Sequence, residues 1–171
     1  MQIFQKLLTE WNVMRANAFK EYADTYAMRG EHERVVHTCT KAIHLNPDQP
    51  EVYNRRGCAR YQLGDTAGAI EDFTKALELD PKYIEAYLNR GLVYYHLDEL
   101  ADAMGDFNMA IYYDPKRAAA YKDRGLVDER QGNDQGALCD YMQSLALLDG
   151  RRKRDAQEVA QLIAALDGTH R

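Results

Sequence analysis

The chain has 171 residues and a formal net charge of −5, with 46% hydrophobic and 29% charged residues. That is enough apolar material to fold and enough length for one elongated domain, with no room for a separate second one. The acidity concentrates between residues 84 and 151, which excludes the broad basic stripe that nucleic-acid binding needs.

Residues 2–14 come first. Phe4, Leu7, Leu8 and Trp11 recur at helical spacing and give this segment an apolar stripe. Lys6 and Glu10 interrupt it, which argues against a cleaved signal sequence, and no apolar run anywhere is long enough to span a membrane. The segment runs on into the next helix without Gly or Pro, either unbroken or with a bend near Asn12. Two roles stay open: a cap over the helices next in the chain, or a helix that binds another chain.

From residue 16 the chain repeats. Pro47, Pro81 and Pro115 stand 34 residues apart, and a fixed period of this length decides the architecture before any single motif. Four repeats result: 16–49, 50–83, 84–117 and 118–151. Counting positions within each, position 4 is Phe19, Tyr53, Tyr87 and Tyr121, and position 8 is Ala23, Gly57, Gly91 and Gly125. Position 20 is Val35, Ala69, Ala103 and Ala137. Position 24 is Cys39, Phe73, Phe107 and Tyr141, and position 27 is Ala42, Ala76, Ala110 and Ser144. These fall on two helical stripes separated by a turn at position 15 (Gly30, Gly64, Asp98, Gly132), so each repeat predicts an antiparallel helical hairpin. Small residues let the two backbones approach and the aromatics fill the space between them. Asn46, Asp80 and Asp114 precede the prolines and should stop each second helix. Arg60, at the apolar position 11, should pack its stem and send its head to water.

A last helix is expected over 155–166, with Ala156, Val159, Leu162, Ile163 and Leu166 on one face and Gly168 as its stop. The preceding Arg151-Arg152-Lys153-Arg154 reads most simply as a solvated connector.

The repeated pattern resembles the tetratricopeptide repeat: aromatic at 4, small at 8, 20 and 27, aromatic at 24, Pro at 32. The resemblance implies an all-α, right-handed superhelical solenoid with an N-terminal helix (1–15) and a C-terminal capping helix (152–171). It also implies a protein-protein interaction scaffold whose ligand is a protein or peptide. One sub-family grips a terminal carboxylate with five polar residues. In register from repeat 1 only Lys20 matches, against Asp24, Arg55, Glu85 and Asn89, and from repeat 2 only Asn89 matches. Acids at such positions repel a carboxylate.

Arg at position 7 and Asp at position 23 occur together in repeats 2, 3 and 4 (Arg56 with Asp72, Arg90 with Asp106, Arg124 with Asp140), while repeat 1 has Tyr22 and Thr38. Joint gain and loss predicts partly buried, bidentate ion pairs that fix hairpin or neighbour packing. The candidate binding surface is the inner face of the first helices. Leu88, Leu92 and Tyr95, with Tyr61 and Leu126, would form an apolar floor, flanked by Asn54, Arg55, Asn89, His96, Lys122 and Arg130. The competing reading buries Leu88 and Leu92 against the next repeat.

No catalytic constellation stands out. The histidines and cysteines lack ligand spacing, and there is no phosphate loop or nucleophile elbow, so no enzyme activity, metal or cofactor is expected. Three scattered cysteines fit a reducing compartment, hence the cytoplasm. The expected function is a non-enzymatic scaffold holding a partner segment in its concave groove. The alternative is a self-assembling scaffold or assembly chaperone, a homo-oligomer formed through residues 2–14.

Overall fold

The structure, a computed structural model, describes residues 1–148 and 153–169. Its helices are α1 (Gln2–Met28), α2 (His32–Leu45), α3 (Pro50–Gln62), α4 (Thr66–Leu79), α5 (Ile84–His96), α6 (Leu100–Tyr113), α7 (Ala118–Arg130), α8 (Asp134–Leu147) and α9 (Lys153–Thr169), with no strand among the described residues. The fold is an all-α helical repeat. Two compact bodies divide the chain, Met1–Ala86 and Tyr87–Arg171.

Within the first body α1 pairs with α2 and α3 with α4, and α2 packs on α3; within the second, α7 pairs with α8, which packs on α9. The hairpin logic is local. Three turns place a glycine in the left-handed region, Gly30 (φ 71), Gly64 (φ 84) and Gly132 (φ 76), and the fourth forces Asp98 there at φ 64. A side chain at that φ is strained. At position 8 the demand is space: a Cβ on Gly57, Gly91 or Gly125 would lie 2.7, 2.7 or 2.6 Å from the ring of Phe73, Phe107 or Tyr141. Ala69, Phe73, Ala76, Ala103, Phe107, Ala110, Ala137 and Tyr141 are all at most 1% exposed. Asn46, Asp80 and Asp114 leave the helical region at φ −145, −134 and −135 and end α2, α4 and α6, as the adjoining prolines require.

The arginine–aspartate pairs are bidentate. Arg56 donates to both Asp72 oxygens at 2.9 and 2.6 Å, Arg90 to Asp106 at 2.9 and 2.8 Å, and Arg124 to Asp140 at 2.7 and 2.8 Å. They do more than close their own hairpin: Arg56 Nη1 reaches Thr40 (3.2 Å) and Arg124 Nη1 reaches Asn108 (2.8 Å), each in the preceding repeat. Arg60 departs from expectation. Its head turns inward, donating to Asp72 (3.0 Å) and the Gly68 carbonyl (3.1 Å), because a buried carboxylate holds a guanidinium more strongly than water does.

The ends differ from expectation too. Residues 2–14 and the first helix of repeat 1 are one helix without a bend, and the apolar stripe lies uncovered: Phe4 is 74% exposed, Leu7 59% and Trp11 53%. Nothing in the first body folds beneath it, so the reading of a cap over repeat 1 fails. At the other end Val159 and Leu166 join Ala137 and Tyr141 in a buried cluster, so α9 caps α8. It starts two residues earlier than predicted and runs through Gly168 to Thr169, an isolated helical glycine being tolerated at modest cost. Asp149, which stands at the proline position of repeat 4, and Arg151 and Arg152 of the basic connector lie outside the described residues.

Candidate partner-binding surface

In the first body, α3 presents Asn54, Arg55 and Tyr61 on one helix. Asn54 and Arg55, with Glu51, Cys58, Gln62 and Tyr83, line a cavity of about 250 Å³ whose back wall comes from α1 and α2. Arg55 is half-buried and its Nη2 pairs with Asp24, while Nη1 is buried with no hydrogen-bond partner among the described residues. Lys20 and Glu51 stand 3.8 Å apart beside it. Asp24 therefore neutralises the Arg55 cation, and an acid at this place repels a carboxylate ligand. Asn54 is 9% exposed and approaches the Tyr83 hydroxyl at 3.5 Å. Burial pushes the Cys58 thiol up to about 11, against the lowering effect of Arg55, so it stays protonated at neutral pH. Tyr61 is half-buried.

In the second body, Tyr95, His96 and Arg130 come together. The Arg130 guanidinium sits 5.0 Å over the Tyr95 ring, His96 meets that ring edge-on at 5.6 Å, and Asp98 holds Arg130 Nε at 3.1 Å. The strained φ of Asp98 thus coincides with a charge that positions a candidate binding residue, the usual setting for stored backbone strain. Asn89 and Leu92 are half-buried on α5, and Leu88 is buried at 7% exposed.

Lys122 and Leu126 are drawn off by the cap. Lys122 donates to Glu158 of α9 at 3.1 Å, and Leu126 packs against the cluster of Val159 and Leu166. Burial opposes the Lys122 charge, yet Asp123 and the Glu158 hydrogen bond outweigh it and raise its pKa. Asp123, 6% exposed, has its pKa pushed up to about 6 by burial that Lys122 offsets only in part. Sequence reasoning passed over Tyr83, Asp98 and Glu158. Only Asp98 carried a signal, as the one non-glycine at the turn position.

A TPR repeat family model matches residues 57–98, and a tetratricopeptide repeat model matches residues 84–117. The chain carries tetratricopeptide repeats. No curated protein matches its sequence. Among solved structures it is similar to MamA, at 24% identity over 84% of each chain with a TM-score of 0.74. It is similar to the Arabidopsis OM64 TPR domain, at 27% identity over 70% of this chain and 98% of that one, with a TM-score of 0.68. The first TPR of Spaghetti (RPAP3), solved bound to the HSP90 peptide SRMEEVD, is 23% identical over 70% of this chain and 95% of that one, with a TM-score of 0.68. One of these similar folds was thus solved with a bound peptide.

Proposed function

We propose that this protein is a non-enzymatic scaffold that binds an extended or helical segment of a partner protein on the inner faces of its first helices. The observation that carries the reading is Arg55: a guanidinium N–H buried without a partner, in a cavity open to a ligand. Turning that N–H toward the cavity to meet an acceptor of the partner would recover about 1–3 kcal/mol for a hydrogen bond otherwise unmade. Asp24 and Glu51 flank that position, so a neutral carbonyl of the partner suits it better than a carboxylate. In the second body Tyr95, His96 and Arg130 offer an aromatic and cationic surface of the kind that anchors interfaces. The likeness to a fold solved with a bound peptide supports the reading, and three cysteines that form no disulfide favour the cytoplasm as its place of action.

The test is capture of partners from native lysate by the wild type, Arg55→Ala and Tyr95→Ala. Each substitution should deplete the same captured proteins while far-UV circular dichroism stays unchanged. Capture that is unaffected by both would remove the reading. A second reading, self-assembly through α1, is favoured by its uncovered apolar stripe.

A further inference from the structure

We propose that repeat 1 carries a second binding site, separate from the inner face, for an acidic segment of a partner protein. It occupies the edge where the other repeats place their arginine–aspartate pair. Repeat 1 has Tyr22 and Thr38 there instead, and the unfilled slot is a cavity of about 330 Å³ lined by Phe19, Tyr22, Tyr26, His37, Thr38 and Lys41, with Arg34 at its margin. A second cavity of about 300 Å³ adjoins it, shares Phe19 and Lys41, and adds Arg15 and His44.

The chemistry of the lining points to an anion. No carboxylate lines either cavity. Arg34 is engaged by Glu31 at 2.5 Å and stacks 5.4 Å over Tyr26, but Lys41 and Arg15 have no acidic partner among the described residues. Each lies instead over an aromatic ring, Lys41 5.7 Å from Phe19 and Arg15 4.6 Å from Trp11. Thr38 is the second, independent observation. It is 6% exposed and its hydroxyl makes no hydrogen bond among the described residues, whereas Thr40 donates to the Val36 carbonyl at 2.8 Å and accepts from Arg56. Thr38 is thus a mostly buried residue whose hydroxyl, without a partner among the described residues, is left free to donate to an oxygen entering the cavity. Lys41, Arg15 and the two histidines supply further donors around it.

A peptide fits this surface better than a nucleic acid does. Two uncompensated cations on a chain of net charge −5 cannot neutralise a run of phosphates. They can take one or two carboxylates while Phe19 and Leu45 receive an apolar side chain between them. Two adjoining cavities of side-chain size match a segment in which acidic and aromatic residues are interspersed.

The experiment is fluorescence anisotropy of a short labelled peptide rich in glutamate and phenylalanine, titrated with the full chain. Saturable binding is expected, weakened about tenfold by Lys41→Glu, or 1.4 kcal/mol, and by a smaller factor by Thr38→Val. Arg55→Ala should leave it unchanged, which separates this site from the inner face. Lys41 is exposed, so its substitution does not threaten folding. The proposal is overturned by absence of saturable binding, by equal binding of a lysine-for-glutamate control peptide, or by affinity indifferent to Lys41→Glu and Thr38→Val. It is equally overturned if single-stranded RNA displaces the peptide at matched charge and shows the same dependence on Lys41.

Discussion

Asp123 shows what burial does to a carboxyl group with an imperfect partner. Lys122 Nζ is 3.8 Å away and shared with Glu158, so desolvation wins and the pKa rises from 3.8 to about 6. The folded state then holds the proton more tightly than the unfolded chain does. Between about pH 4 and pH 6 the unfolded chain releases it first, and stability falls as pH rises through that window. The gap corresponds to at most about 3 kcal/mol. Asp123→Asn keeps the shape and removes the charge. At pH 7 it should melt several degrees above the wild type, and the advantage should shrink toward pH 4. Thermal melts across that range are the check; a variant less stable than wild type at pH 7 would refute the account. Asp98 represents the opposite choice, since its strained backbone secures Arg130 over Tyr95.

Between helices, the arginine–aspartate pairs carry the coupling. Asp72 is 3% exposed at its side chain and receives hydrogen bonds from both Arg56 and Arg60. Asp72→Ala strands two guanidinium groups and should cost about 3–5 kcal/mol, whereas Arg56→Met and Arg60→Met with Asp72→Leu replace the whole cluster by apolar bulk and should cost far less. Urea unfolding of the two variants checks this, and equal destabilisation would mean that the cluster adds stability in its own right. The pairs, the hairpins and the stops at Asn46, Asp80 and Asp114 were legible because each depends on contacts at fixed spacing within a repeat, and recurrence displays them. Arg60 was not, because its direction depends on how deeply the Asp72 carboxylate is buried. The burial of Leu88 and the contacts of Lys122 and Leu126 with the last helix were not legible for a related reason, since they depend on neighbouring elements. After repeat 4 the neighbouring element is α9, whose sequence no longer keeps the period. The open slot at Tyr22 and Thr38 was visible as a missing pair, but the space it leaves needed coordinates.

For the protein as a whole, the uncovered stripe of α1 decides whether it acts alone. Phe4, Leu7, Leu8 and Trp11 are 47–74% exposed, in a helix whose remaining length packs on α2. Fully burying such side chains is worth about 1.5–3 kcal/mol each, and these are already partly covered. Two copies joined along the stripe would gain roughly 10 kcal/mol, against an association cost of about 4–15 kcal/mol. That balance allows a dimer in the range of tens of micromolar at best, so assembly should depend on concentration. Light scattering coupled to size exclusion should show the wild-type mass rising above the monomer as loading increases. Leu8→Glu with Trp11→Glu should hold it at the monomer throughout, with helicity unchanged because both side chains face solvent. A wild type that stays monomeric at the highest loading would remove self-assembly and leave the stripe to a different protein.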